Sequence, residues 1–268
     1  MSIGIIGVIG SGSMGGAFVR GWLRADPSMG SRILVADAAA PAAERLSREA
    51  GVGLARSNSD LVERADLVLL AVKPADVDAA LEETIPLFDG GKLLASCVAG
   101  RTITSLEVLF SAAVPVFRLM PNVAVEVGAG TISFASGSNV DPGEAEDVKA
   151  LFALLGSVIP IEEKLFPAAT AIGGSGPGFL ALIVDAFVDA GVMAGLPAAV
   201  SRELTFSMIS GTARLFAETG MSPSELRQRV TSPAGTTAAG IAQLERDGTR
   251  SAIIDAVQVT VKRADELG

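Results

Sequence analysis

The chain has no histidine and no tyrosine among its 268 residues, and only one cysteine and one tryptophan. Without histidine, Ser-His-Asp hydrolysis, histidine-dependent dehydrogenation and histidine-ligated metal centres are excluded, and no metal is expected. Without tyrosine, so is the Tyr/Lys proton relay of short-chain reductases. A single cysteine, Cys97, cannot form an intrachain disulfide, which fits a cytoplasmic protein. Aromatic residues make up 4%, and the apolar half of the chain is mostly Ala, Gly, Val, Ile and Leu. That set suits close-packed helices and buried parallel strands better than an antiparallel sandwich. Lys and Arg are scattered and the formal charge is −9, which argues against nucleic acid as a partner. The start, MSIGIIGVIG, has no basic region and reads directly as a strand, so no signal peptide is expected. The most apolar long stretch, Leu180–Val200, is broken by Asp185, Asp189 and Pro197. It reads as a buried or interface helix, not a membrane span.

What is present has a clear order. Short apolar runs at Ile5–Ile9, Ile33–Ala36, Leu67–Val72, Leu93–Val98, Val114–Leu119 and Thr131–Phe134 read as strands. They alternate with helical spacing, as in Ala42–Ala50 and Leu106–Phe110, which predicts right-handed crossovers and a mainly parallel sheet. A helix is marked by Asp141 as N-cap, Pro142 in its first position, Glu144 as capping-box partner and Gly156 as terminator. After about Leu165 strand signals stop, and successive helices are apolar on more than one face. About a hundred residues cannot hide so much apolar surface internally, so this half is expected to be a helical dimer interface.

The first strand runs into IGVIGSGSMGG, where Gly10, Gly12 and Gly15 form G-x-G-x-x-G ahead of a helical pattern. The loop Gly10, Ser11, Gly12, Ser13, Met14, Gly15 then reads as a pyrophosphate cradle. Gly10 allows the turn, Gly12 the approach of the phosphates, and Gly15 the packing of helix on strand. Asp37 follows the second strand and can accept hydrogen bonds from an adenine ribose while repelling a 2′-phosphate; the next residues, AAAPAA, bring no cation before Arg45. NADH is therefore the expected cofactor in preference to NADPH. The other reading of Asp37 is that it caps the helix beginning near Pro41. The fold class expected is an α/β Rossmann-type domain over residues 1–162, followed by an all-α domain over 163–268.

Six stretches occur together and in order: IGVIGSGSMGG, AVKP (71–74), SCVAG (96–100), RLMPN (118–122), GSGP (174–177) and TSPAGTT (231–237). As an ordered set covering nearly the whole chain, they resemble the pyrroline-5-carboxylate reductases. The resemblance implies reduction of the cyclic imine acid Δ1-pyrroline-5-carboxylate to L-proline with NADH or NADPH. It also implies a Rossmann domain followed by a helical domain that builds homodimers and often larger rings. By the same resemblance Asn58 approaches the adenosine ribose. Ala71, Val72, Lys73 and Pro74 line the dinucleotide; Cys97, Ala99 and Gly100 lie near the nicotinamide, and Asn122 belongs to the cofactor set. Ser232, Gly235, Thr236 and Thr237 form the substrate loop, with Ser232 and Thr237 as candidate catalytic groups and Glu218 as an acid preceding it. The chain departs from the family pattern at Gly173, Gly178 and Phe179, at Val123 and Ala124, and at Ala234. These departures keep open a related imine acid as substrate, or a non-catalytic NAD-binding dimer.

An imine suits the missing residue types. Its ring nitrogen can be protonated near neutral pH, so hydride addition yields a stable amine and needs no strong proton donor. Positioning can then supply much of the catalysis. In TSPAGTT the free N–H groups and the hydroxyls of Ser232 and Thr236 can hold a carboxylate at a helix N-terminus, leaving Thr237 for the ring nitrogen. Alternatively, these hydroxyls simply cap the helix that follows.

Overall fold

The computed structural model describes residues 3–88, 91–110 and 113–267. The chain divides into two compact units, Met1–Ser175 with Thr260–Gly268, and Gly176–Val259. The expected division at 162/163 thus lies ahead of the unit boundary. Residues after 163 join the first unit because Phe166 is buried there and the Asn122 side chain bonds the carbonyl of Gly173.

The first unit is built on an eight-stranded sheet. Its strands are β1 (Ile6–Ile9), β2 (Ile33–Ala36), β3 (Gly53–Leu54), β4 (Leu67–Leu70), β5 (Leu93–Ser96), β6 (Val116–Met120), β7 (Gly130–Ser136) and β8 (Gly156–Pro160). The order is β3-β2-β1-β4-β5-β6-β7-β8, parallel throughout except for the antiparallel pair β6 and β7. Helices α1 (Ser13–Ala25), α2 (Ala40–Ala50), α3 (Asn58–Arg64), α4 (Val77–Leu81), α5 (Ile103–Glu107), α6 (Pro142–Ala153) and α7 (Phe166–Ala169) belong to this unit. Because β1, β2, β4 and β5 are buried on both faces, they read as continuous apolar runs, which made them legible in sequence. The structure adds β3, two residues long, and β8, whose partly exposed residues give no apolar run. The capping box of α6 is present as expected, but Gly156 does not terminate the helix. Leu154 is its C-cap, and Gly156 opens β8 beside Gly130.

The scarce aromatics are concentrated. Phe18, Trp22 and Phe152 form a triad with ring centroids 5.6 Å apart, and Trp22 donates its indole N–H to the carbonyl of Leu151 at 3.1 Å. At about 1.5–3 kcal/mol for each large apolar side chain buried, this triad anchors α1 and α6 to one another.

Strand register positions the site. Ala36, Ile9, Leu70 and Ser96, the last residues of β2, β1, β4 and β5, are register partners in one row. The ladder continues one step further, with Gly10 N–H to Ala36 O, Ala71 N–H to Ile9 O and Cys97 N–H to Leu70 O. Asp37, Gly10, Ala71 and Cys97 therefore emerge side by side at the carboxyl edge of the sheet, where open α/β sheets bind ligands.

The second unit is helical: α8 (Gly176–Met193), α9 (Ala198–Thr219), α10 (Pro223–Val230), α11 (Thr236–Arg246) and most of α12 (Thr249–Glu266). Among the described residues, its buried positions are Ser201 and Thr205, whose hydroxyls bond Val188 O and Ser201 O; it buries no apolar side chain of its own.

Candidate functional site

A groove of about 450 Å³ opens at the carboxyl edge of the sheet. Of the expected residues, Gly10, Gly12, Asp37, Asn58, Ala71, Val72 and Lys73 line it. Gly10 has φ +104°, and a side chain there would strike the carbonyl of Ala71. At Gly15 an added Cβ would overlap the carbonyl oxygen of Gly10, whereas Gly12 faces open space. Gly10 thus serves the turn and Gly15 the close packing of helix on strand, and Gly12 leaves open space. Gly12 is the N-cap of α1 and carries no side-chain cap, and the first intrahelical bond runs from Gly16 N–H to Gly12 O. Ser13, Met14 and Gly15 therefore present N–H groups without helical acceptors, a set suited to a pyrophosphate. Ser11 is used differently: it is buried, and its N–H donates to Asp37 Oδ2 at 2.6 Å. The side chain of Met14 packs against the core.

The Asp37 carboxylate is held from two sides. Oδ2 receives the Ser11 N–H, while Oδ1 receives the N–H of Ala39, the N-cap of α2, at 2.8 Å. Each oxygen keeps a lone pair, so the carboxylate is fixed in orientation and still able to accept a ribose hydroxyl. Asn58 is the first residue of α3; its Nδ2 donates to Ala80 O at 3.0 Å. Lys73 is exposed and forms no ion pair among the described residues. Sequence reasoning missed Ile9, Ala38, Ala39, Asp76, Ala79 and Ala80 in the groove wall. The alanine runs at 38–40 and 79–80 were the available signal, since small side chains leave room for a ligand.

Pro74, Ala99 and Gly100 line a second recess of about 250 Å³ with Arg101, Thr102 and Ser105. Cys97 turns from it: its Sγ approaches Leu70 O at 3.4 Å, and burial pushes the thiol up to about 12, so it is not a nucleophile near neutral pH. Asn122 lies outside both recesses with its amide engaged. Nδ2 donates to Gly173 O, and Oδ1 accepts from the N–H groups of Ala124 and Thr131. Its side chain joins these segments. Gly173 falls in a π-helical turn, Thr170–Gly174, which leaves no periodic signal in the sequence.

In the second unit, Ser232, Pro233, Ala234 and Gly235 link α10 to α11. Gly235 is the N-cap of α11 and has no side-chain cap. Among the described residues the hydroxyls of Ser232, Thr236 and Thr237 cap nothing, which removes the simple capping alternative. Thr236 and Thr237 begin the helix, so their N–H groups lack helical acceptors. Ala234 takes φ +58°, a left-handed conformation unusual for alanine. Glu218 pairs with Arg214 at 2.6 Å on the exposed end of α9. Among the described residues it makes no hydrogen bond to the loop.

Two stretches of the chain match known protein families. Residues 163–267 match the family model of pyrroline-5-carboxylate reductase dimerisation, and residues 5–100 match NADP oxidoreductase, coenzyme F420-dependent. The chain is 37% identical to the pyrroline-5-carboxylate reductase of Corynebacterium melassecola and 35% identical to that of Synechocystis, covering 98% of each chain in both cases. Among solved structures, a pyrroline-5-carboxylate reductase from Coxiella burnetii matches with a TM-score of 0.90 at 31% identity, over 99% of this chain and 98% of that one. Plasmodium falciparum pyrroline carboxylate reductase with NADP bound matches with a TM-score of 0.88 at 27% identity, over 100% and 98%.

Proposed function

This chain belongs to the pyrroline-5-carboxylate reductase family, and we propose that it prefers NADH to NADPH and grips its substrate at the start of α11. The reaction is reduction of the C=N bond of Δ1-pyrroline-5-carboxylate to L-proline, with NAD(P)H as hydride source. The nicotinamide cofactor, when bound, supplies the hydride. The groove fits such a cofactor: Gly12 leaves space beside uncapped helix N–H groups, and Asp37 stands at the end of β2.

The observation that carries the cofactor preference is the double anchoring of Asp37. A carboxylate held by two backbone N–H groups cannot swing away from a 2′-phosphate, and Asp76 adds a second negative charge to the same wall. Lys73 offers the groove one cation, at the AVKP turn rather than beside Asp37 in sequence.

For the substrate, the uncapped start of α11 and the hydroxyls of Ser232 and Thr236 form an acceptor-hungry cluster for the carboxylate. Thr237, half-buried on the first turn, orients the ring nitrogen. No residue need ionise, because the iminium nitrogen brings its own proton and leaves as an amine. This is why a chain without histidine or tyrosine is sufficient.

The second unit buries no apolar side chain of its own while exposing Leu182, Phe206 and Val259, which supports a homodimer whose core forms between two copies. The helical run Glu163–Met193 is long and apolar enough to cross a membrane by length and composition. It lies within the stretch matched by the dimerisation model, and a second copy accounts for its apolar faces.

The test is initial-rate oxidation of NADH and, separately, NADPH by purified protein supplied with Δ1-pyrroline-5-carboxylate. A higher kcat/KM with NADH is expected. A higher value with NADPH rejects the reading of Asp37. Binding of NADH without turnover points to a different imine acid, with the altered residues Gly173, Gly178 and Val123 as the place to look.

A further inference from the structure

We propose that Glu163 is a positioning residue for hydride transfer, fastening the turn between β5 and α5 to the sheet. The proposal rests on the reading that this turn, with Ala99 and Gly100, faces the nicotinamide.

One end of the turn is held by the ladder, through Cys97 N–H to Leu70 O at 3.1 Å. Glu163 holds the other. Its Oε1 accepts the N–H of Ile103, the first residue of α5, at 2.7 Å, and the same oxygen accepts Arg118 Nη1 at 2.8 Å. Arg118 stands on β6 in register with Ser96, the residue from which the turn departs. It is 8% exposed, its guanidinium lies 4.6 Å over the ring of Phe166, and its Nε–H is buried without a partner among the described residues. A guanidinium so incompletely satisfied has strong need of its carboxylate, so Glu163 is not free to leave.

A single oxygen therefore connects a cation rooted in the sheet to a backbone N–H at the exit of the turn. The N–H of Ile103 is one of those a helix start leaves unsatisfied, and the Thr102 hydroxyl takes a different one, that of Ser105. Among the described residues, Glu163 is the acceptor recorded for Ile103 N–H. Displacement of a reacting group by about 1 Å can lower a rate about 100-fold.

Ile103→Pro removes the donor and leaves the ion pair. Proline suits the first helical position, and Thr102, at φ −79° and ψ 160°, already has the conformation required before proline. Ile103→Ala loses the same packing but keeps the N–H. Glu163→Ala removes the acceptor, and Glu163→Gln keeps one. Each variant is assayed for kcat, the KM for NADH, the primary isotope effect with 4-deuterated NADH, and affinity for ADP-ribose, which reports the adenosine half alone.

Ile103→Pro and Glu163→Ala are expected to lower kcat/KM for NADH by about 10- to 100-fold and to raise the isotope effect, with ADP-ribose affinity unchanged. Ile103→Ala and Glu163→Gln are expected to lose thermal stability and keep the wild-type isotope effect. If Glu163→Ala does not fold, the Ile103 pair decides alone. Wild-type KM and isotope effect in Ile103→Pro, with only Tm lowered, overturn the proposal. Ala99→Val, in the turn itself, tests the underlying reading. If it alters neither NADH kinetics nor the isotope effect, the turn does not face the nicotinamide, and the proposal falls for that separate reason.

Discussion

Replacing Asp37 by Asn should move cofactor preference toward NADPH by about two orders of magnitude, and the size follows from two effects. A 2′-phosphate carries about two negative charges; roughly 5 Å from a carboxylate, in a groove open to solvent, the repulsion is about 2 kcal/mol near the aqueous limit. Asn removes that repulsion. It also turns a charged acceptor into a neutral one for the ribose hydroxyl of NADH, a loss of about 1 kcal/mol at a partly exposed site. Together these come to about 3 kcal/mol, or roughly 100-fold in the ratio of kcat/KM values for NADH and NADPH. Asn has one acceptor oxygen for the two N–H groups of Ser11 and Ala39, so the phosphate loop should also loosen and both absolute rates should fall. The ratio, measured from initial rates at low ionic strength, separates preference from this general loss. Salt provides a second check, because screening should narrow the wild-type ratio and leave that of the variant nearly unchanged. A ratio unmoved by Asp37→Asn refutes the argument and leaves Asp37 as an anchor for the loop alone.

Thr237→Val should fold normally and bind NADH normally while lowering kcat/KM for the imine by about 10- to 10³-fold, the range for one well-placed donor; unchanged turnover eliminates the role. Ala234→Gly should raise Tm by about 1–2 °C, since relief of a left-handed alanine, about 1–2 kcal/mol, slightly exceeds the entropy cost of glycine. A fall in Tm on thermal scanning contradicts this. For Cys97, whose thiol burial pushes up to about 12, the folded state holds its proton in a range where the unfolded chain has lost it. This group's contribution is therefore fully present below about pH 9 and is lost as pH rises toward 12, at no more than about 1.4 kcal/mol per pH unit. Urea titrations between pH 8 and 10.5 should show a steeper decline for the wild type than for Cys97→Ala. Parallel curves for the two proteins remove the effect.

The strands were legible where burial on both faces of the sheet forced unbroken apolar runs, as at Ile33–Ala36 and Leu67–Leu70. The edge strand β8, half-exposed and carrying Gly156 and Pro160, left no such record. The glycine loop was legible because Gly10, at φ +104°, and Gly15, packed on the Gly10 carbonyl, answer steric demands that no other residue meets. The opposite held for Asn122. Its amide caps the adjacent turn at Ala124 and also bonds Thr131 and Gly173, and no local pattern records a partner 51 residues away.

Sequence alone determined the class of chemistry. Missing side-chain types exclude whole mechanisms wherever the chain folds, and a glycine spacing or a capping box acts within one or two turns of backbone. Tertiary structure decided which groups are already engaged. It ties Asp37 to Ser11 across 26 positions, joins Glu163 to both Arg118 and Ile103, and leaves the hydroxyls of the 232–237 loop without a cap to make. The reason is physical: a hydrogen bond depends on distance in space, and between residues far apart along the chain only folding sets that distance.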